Sequence, residues 1–179
     1  VLTSARSLRH VAGVVEAAGG RSERLAPAVG MGTRHATISG RRLSSSDTYG
    51  AHVVVAGTEN GNRYGTATFN FVEFSSCGKQ GTEHPSVRFE YPMSWSAERW
   101  AGFAGMRSTV HGCGFSSMLN FGVVMLRARG VTLSSNVFGG GFRSTVDVDG
   151  GSQQVTLLSN LVVGTQRSPD DLLNWVRPF

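Results

Sequence analysis

Val131-Thr-Leu-Ser-Ser-Asn-Val-Phe138 and Val155-Thr-Leu-Leu-Ser-Asn-Leu-Val162 are one eight-residue phrase written twice, 24 residues apart. A more altered copy, Ser108-Thr-Val-His-Gly-Cys-Gly-Phe115, precedes the first by 23 residues. Stacking the three copies puts Val110, Leu133 and Leu157 in one column and Phe115, Phe138 and Val162 in a second. Cys113, Asn136 and Asn160 form a third. Between the copies lie two more β-type runs, Val123-Val-Met-Leu126 and Thr145-Val-Asp-Val-Asp149, with Val123 and Val146 again 23 apart. A fixed period in the low twenties, built of several short strands with glycine between them, is the signature of a solenoid. Each repeat holds only strands, so the expectation is an all-β chain, a right-handed parallel β-helix with coils of 22–24 residues over 108–164. A leucine-rich repeat would need a dense Leu frame, which is missing.

Composition agrees with a β solenoid and narrows the partners. The chain has 179 residues with 24 Gly and only 16% charged side chains, so one weakly charged, Gly-rich domain is expected. The net charge of +5 raises nucleic-acid binding, but 16 of the 17 basic residues are Arg and they are scattered without an interleaved aromatic run. No nucleic-acid partner is expected. Nor does any apolar run reach the ~20 residues of a membrane span, so the segment is not expected to insert into a membrane itself. Val1-Leu-Thr-Ser4 reads as strand interior rather than leader, and both ends read as cut from a longer polypeptide. Cys77 and Cys113 could pair across adjacent coils or be two buried thiols. There is no Asn-x-Ser/Thr sequon.

Outward from the repeats, the chain is read as one β-helix segment over 1–179 in four parts. Residues 1–50 are irregular first coils, with short strands at Val1–Ser4 and Ala36–Ser39 and loops with a turn of helix over 11–34. Residues 51–107 hold the strand His52–Val55 and an earlier copy of the phrase, Ala67-Thr-Phe-Asn-Phe-Val-Glu-Phe74, in which Phe69 and Phe74 match Leu133 and Phe138. Phe69 lies 41 residues before Val110, so an insertion of about one coil's length is expected there. It carries Tyr91, Pro92, Trp95 and Trp100, read as a cap on the flank of the solenoid in preference to a contact surface. Residues 108–164 are the regular coils, and 165–179 a terminal loop.

Within a strand, side chains alternate between interior and exterior, and equivalent positions of neighbouring coils stack ~4.8 Å apart. Phe115, Phe138 and Val162 are therefore expected as an interior apolar column. Asn136 and Asn160 stand where the chain bends, either as an interior ladder satisfying turn backbone groups or as ordinary turn asparagines.

The same residues carry a family likeness. The chain resembles the parallel β-helix region that follows the G8 domain in fibrocystin (polycystic kidney and hepatic disease) proteins and in related hyaluronan-degradation proteins of the cell surface. The matching pieces run in order through Val1–Ser4, Gly50-Ala-His-Val-Val-Val55, Val72-Glu-Phe-Ser-Ser-Cys-Gly-Lys-Gln-Gly81 and Pro85-Ser-Val-Arg-Phe-Glu90. They continue through Val110-His-Gly-Cys113, Asn120–Val131 and Phe142–Gly150. The resemblance implies a pectate-lyase-like β-helix in the ectodomain of a large membrane-anchored or secreted protein, at the cell surface or the ciliary membrane. The partners implied are other domains of the same protein, other cell-surface or ciliary proteins, and glycans. No cofactor is implied. Because such ectodomains lie outside the cell, it also inclines the two cysteines toward a Cys77–Cys113 disulfide.

Departures from the family bear on activity. The hyaluronan-processing branch has a Pro-Ile-His-Phe-His motif, and its two His positions read Arg88 and Glu90 here. Its Val-His-Gly in the next coil reads Met125-Leu126-Arg127. What remains for chemistry is the outer face of one strand column, where Arg88, Glu90, Asp147 and Asp149 are expected to project. Two carboxylates ~6–7 Å apart, at spacing i, i+2 on a strand, could serve acid–base hydrolysis or hold a hard cation. Val124 and Leu126 are expected on the same face between them, interrupting any groove. A turn-entry role for Asp147 and Asp149 is therefore favoured, and no catalytic residue is assigned. The histidines at 10, 35, 52, 84 and 111 lack ligand spacing, so no metal is expected. Three readings follow. The first is a non-enzymatic structural or interaction module. The second is a carbohydrate-active enzyme, or degenerate relative, binding or cleaving hyaluronan- or pectin-type polymers. The third is a phage- or virus-type fibre segment.

Overall fold

The computed structural model describes residues 13–17, 21–25, 36–40, 49–58, 60, 63–92, 94–141, 144–149 and 151–164. After an antiparallel pair, β1 (Gly13–Ala17) and β2 (Arg21–Leu25), the strands come in a repeating order. They are β3 (Ala36–Ser39), β4 (Val53–Ala56), β5 (Thr68–Asn70), β6 (Val72–Ser75) and β7 (Val87–Glu90). A short helix, α1 (Ala97–Gly102), intervenes before β8 (Ser108–His111), β9 (Gly114–Ser116), β10 (Val123–Leu126) and β11 (Val131–Ser134). The last are β12 (Val137–Gly139), β13 (Val146–Asp149), β14 (Thr156–Leu158) and β15 (Leu161–Val163). Each turn of chain gives one strand to each of three sheets. The first sheet is β4-β7-β10-β13, the second β5-β8-β11-β14 and the third β3-β6-β9-β12-β15, with every pairing parallel.

The register is the one the repeats predict. Val110 pairs with Leu133 and Leu133 with Leu157, while Phe115 pairs with Phe138 and Phe138 with Val162. Alternation decides which side faces in: Val87 and Phe89 of β7 are buried, and Arg88 and Glu90 between them are not. Stacked strands force like onto like. Phe74, Phe115 and Phe138 form a stack of near-parallel rings with centroids 4.7 and 4.5 Å apart, close to the strand spacing itself. All three are buried.

Corners are equally periodic. Phe71, Gly112, Ser135 and Ser159 end successive strands of the second sheet, and all have positive φ between 50° and 59°. The left-handed residue lets the chain swing from the second sheet into the third within one position. At Gly112 this leaves no room for a side chain, since a Cβ there would lie 2.6 Å from the Phe71 ring. Directly after that corner the asparagines form an internal ladder. Asn136 Oδ1 accepts from the Cys113 N–H at 2.9 Å, and its Nδ2 donates to Val110 O at 2.9 Å and Asn160 Oδ1 at 2.9 Å. Asn160 Nδ2 donates to Leu133 O at 2.9 Å, continuing the same connection one coil on. Of the two roles open to these residues, the ladder is the one adopted.

Several expectations need correction. Residues 13–17 and 21–25 are strands, not a turn of helix within loops: they pair antiparallel, Gly13 with Leu25 through Ala17 with Arg21. The Val1–Ser4 strand and the terminal loop 165–179 lie outside the described residues. The extra length of the second coil is not one insertion. Residues 91–107 replace the four-residue connection 127–130, and 76–86 is a longer version of 117–122. The interior column holds at Phe115 and Phe138 but opens at Val162, which is 49% exposed because no described strand stacks beyond β15.

The disulfide is absent. Cys77 and Cys113 are both buried thiols that form no disulfide. The register that pairs Glu73 with Gly114 sets Cys113 against Val72, five residues from Cys77 along the chain. At ~3.3 Å per strand residue that is on the order of 15 Å, far beyond the ~7 Å a disulfide allows between Cα atoms. Each thiol instead donates to a carbonyl of the preceding coil, Cys77 to Ile38 O at 3.3 Å and Cys113 to Phe69 O at 3.4 Å. Burial pushes the Cys77 thiol up to about 11, with Glu73 adding to the rise.

Candidate functional site

The outer face of the first sheet carries the residues marked by the sequence. Its columns run Val54, Arg88, Val124, Asp147 and Ala56, Glu90, Leu126, Asp149. The apolar coil therefore does sit between Glu90 and the aspartates, and Val124 is buried. Arg88 and Glu90 are brought together and pair at 2.8 Å, Nε to Oε2. A third partner was not marked: Arg127 Nη2 donates to Glu90 Oε1 at 3.2 Å, and Arg127 Nε donates to Tyr91 O at 2.6 Å. Glu90 is thus held between two guanidiniums, with each of its carboxylate oxygens engaged by one of them. Asp149 lies a coil further on, at an exposed strand end, where its carbonyl accepts from Ser152 Oγ at 2.8 Å and from the Arg127 N–H at 3.2 Å.

Among the described residues no group of three His, Cys, Asp or Glu side chains could hold a metal ion, although two scattered histidines do meet. His52 and His84 lie edge to face at 5.1 Å, and His52 Nδ1 donates to Pro85 O at 2.6 Å. Among the described residues no helix is long and apolar enough to cross a membrane.

The aromatic insertion is a cap, as the sequence suggests. Tyr64 stacks on Tyr91 at 4.3 Å and 12°, with Trp95, Trp100 and Phe103 around them. The polar ends are satisfied. Tyr64 OH donates to Arg129 O at 2.6 Å, Tyr91 OH to Gly65 O at 2.8 Å and Trp95 Nε1 to Thr58 O at 3.1 Å. Burial raises the hydroxyl pKa of both tyrosines. Ser96 caps α1, its hydroxyl accepting from the Arg99 N–H at 3.3 Å.

Between this cap and the stacked strands lies a cleft of about 420 Å³, lined by Pro92, Ala97, Trp100, Arg127, Arg129 and Gln153 among others. Sequence reasoning missed it. The local signal was Arg127-Ala-Arg129-Gly130 directly after a strand, but the wall opposite comes from an insertion some thirty residues earlier. Compared with protein-family models, with curated proteins and with solved structures, the chain gives no significant match.

Proposed function

We propose that the chain is a right-handed parallel β-helix segment serving as a non-enzymatic structural and contact module in the ectodomain of a large, fibrocystin-like membrane-anchored or secreted protein. The three-sheet parallel stacking supports the solenoid, and the strong right-handed preference of parallel crossover connections supports the hand. The cell-surface or ciliary setting rests on the family resemblance of the sequence. One observation carries the absence of catalysis. On the outer face the carboxylate of Glu90 is neutralised by Arg88 and Arg127, and Val124 and Leu126 part it from Asp147 and Asp149. No acid and base stand around one substrate atom there. A stack of coils does offer a stiff body with a continuous lateral surface, which suits an ectodomain built of many modules.

The test is to incubate the chain, within its full ectodomain, with hyaluronan and with pectin-like polymers and to follow polymer length. Unchanged length is expected. Depolymerisation that disappears when Asp147 and Asp149 are replaced by Asn would establish the carbohydrate-active alternative instead.

A further inference from the structure

We propose that the cleft between the aromatic cap and the corner after β10 binds a small organic anion. In it Arg127 and Arg129 take a carboxylate or phosphate group, and Pro92, Ala97 and Trp100 receive the apolar body of the ligand. The proposal stands independently of the functional reading above.

The connection 127–130 brings the two arginines together: both line the cleft, and Ala128 between them is buried at 1% exposure. Arg127 has a left-handed backbone, φ 54°, that swings its side chain back over the preceding coil. There Nε and Nη2 are engaged by Tyr91 O and Glu90, while its second terminal nitrogen makes no such bond among the described residues. Arg129 is less satisfied still. Its Nη1 has one long contact, 3.4 Å to Trp100 O, and its Nε is buried with no partner. A guanidinium presents five N–H donors in a rigid fork suited to an oxyanion. Two such forks facing one cleft, one of them nearly unspent, are complementary to a ligand oxyanion rather than to solvent alone.

Charge around the cleft points the same way. Arg107 approaches the same corner, where a Cβ on Gly130 would lie 3.0 Å from its Cδ and 3.1 Å from its Nη1. Of the carboxylates near this corner, Glu90 is divided between Arg88 and Arg127, and neither Asp149 nor Glu98 lines the cleft. The other wall is apolar. A volume of about 420 Å³ lies in the lower part of the roughly 300–1,000 Å³ range of small-molecule sites. The ligand class is therefore an oxyanion on a compact apolar or ring-shaped body.

Isothermal titration of the folded chain with benzoate, phenyl phosphate, benzyl alcohol and inorganic phosphate tests the assignment. Benzoate and phenyl phosphate are expected to bind saturably, with Kd at or below about 1 mM. Benzyl alcohol, which lacks the charge, and inorganic phosphate, which lacks the body, should each bind at least about tenfold more weakly. Arg129→Gln should weaken phenyl phosphate binding by about tenfold or more. Gln153→Glu, at an exposed position, places a carboxylate beside the forks and should abolish binding even where Arg129→Gln fails to fold. No saturable binding of either organic anion, binding of benzyl alcohol as tight as benzoate, or undiminished binding by the folded variants would each overturn the proposal.

Discussion

Val131–Phe138 and Val155–Val162 are nearly the same sequence in the same register, yet their fates differ. In the first, Val131, Leu133 and Phe138 are buried, with no more than 1% of their surface exposed. In the second, Leu157 is 53% exposed and Val162 49%. Strand, pairing and corner are alike in both, down to the left-handed residue at Ser135 and Ser159. The difference is that the first has a coil on each side and the second has a described coil on one side only. In a stacked β fold, burial is conferred by the neighbouring coil more than by the residue's own pattern, so identical side chains contribute unequally to stability.

Paired substitutions sharpen this contrast. Phe138→Ala removes the end ring of the three-phenylalanine stack and should cost about 3–5 kcal/mol, whereas Val162→Ala should cost below about 1 kcal/mol. Urea denaturation measures both. Equal losses would mean that the last coil is as covered as the central one. Next comes the ladder. Asn136→Ala strands the Cys113 N–H and the Val110 carbonyl, and about 1–3 kcal/mol is expected for each buried group left unpaired. Asn160→Ala, in the more open coil, should cost clearly less in the same assay.

The covered coils also carry a pH signature. Cys77 is held up at about 11 from an ordinary value of 9.0, and burial raises Tyr64 and Tyr91 as well. The folded chain keeps these protons where the unfolded chain releases them. Their contribution to stability is thus complete below pH about 9 and declines as pH rises toward about 11. Urea midpoints from pH 8 to 11 should fall along this course. A flat profile would place the thiol and both phenols in solvent. The smallest effect belongs to the outer face. Glu90→Gln removes a partly exposed carboxylate from its two arginines and should cost about 0.2–1 kcal/mol, read from the same denaturation curves.

Much of the parallel stacking was legible because its cause is periodic. A side chain repeated every 23 or 24 residues must meet its own kind if strands stack in register, and Phe115 on Phe138 and Asn136 on Asn160 follow directly. Outward projection of Arg88 and Glu90 was legible for the same reason, since alternation is a local property of a strand. The hairpin at Gly13–Leu25 was not, because two short runs with a Gly-rich link show little periodicity of either kind. The cysteines misled for a different reason. Adjacent coils were inferred correctly, but position along the strand, which separates Cys77 from Cys113, depends on the loop lengths between repeats.

By itself, then, the sequence determined the period, the inward columns and the interrupted polar face, all of which depend on spacing along one chain. Tertiary structure decided the corners, the open end and the cleft. Phe71, Gly112, Ser135 and Ser159 span an aromatic, a glycine and two serines, yet all take the left-handed conformation. Such a residue other than glycine costs roughly 1–2 kcal/mol locally and persists because strand pairing on both sides fixes the turn. Arg127 and Arg129 likewise become a site only when the insertion carrying Trp100 folds back across them. That contact joins residues about thirty positions apart through the lengthened connection 91–107, and no local pattern encodes it.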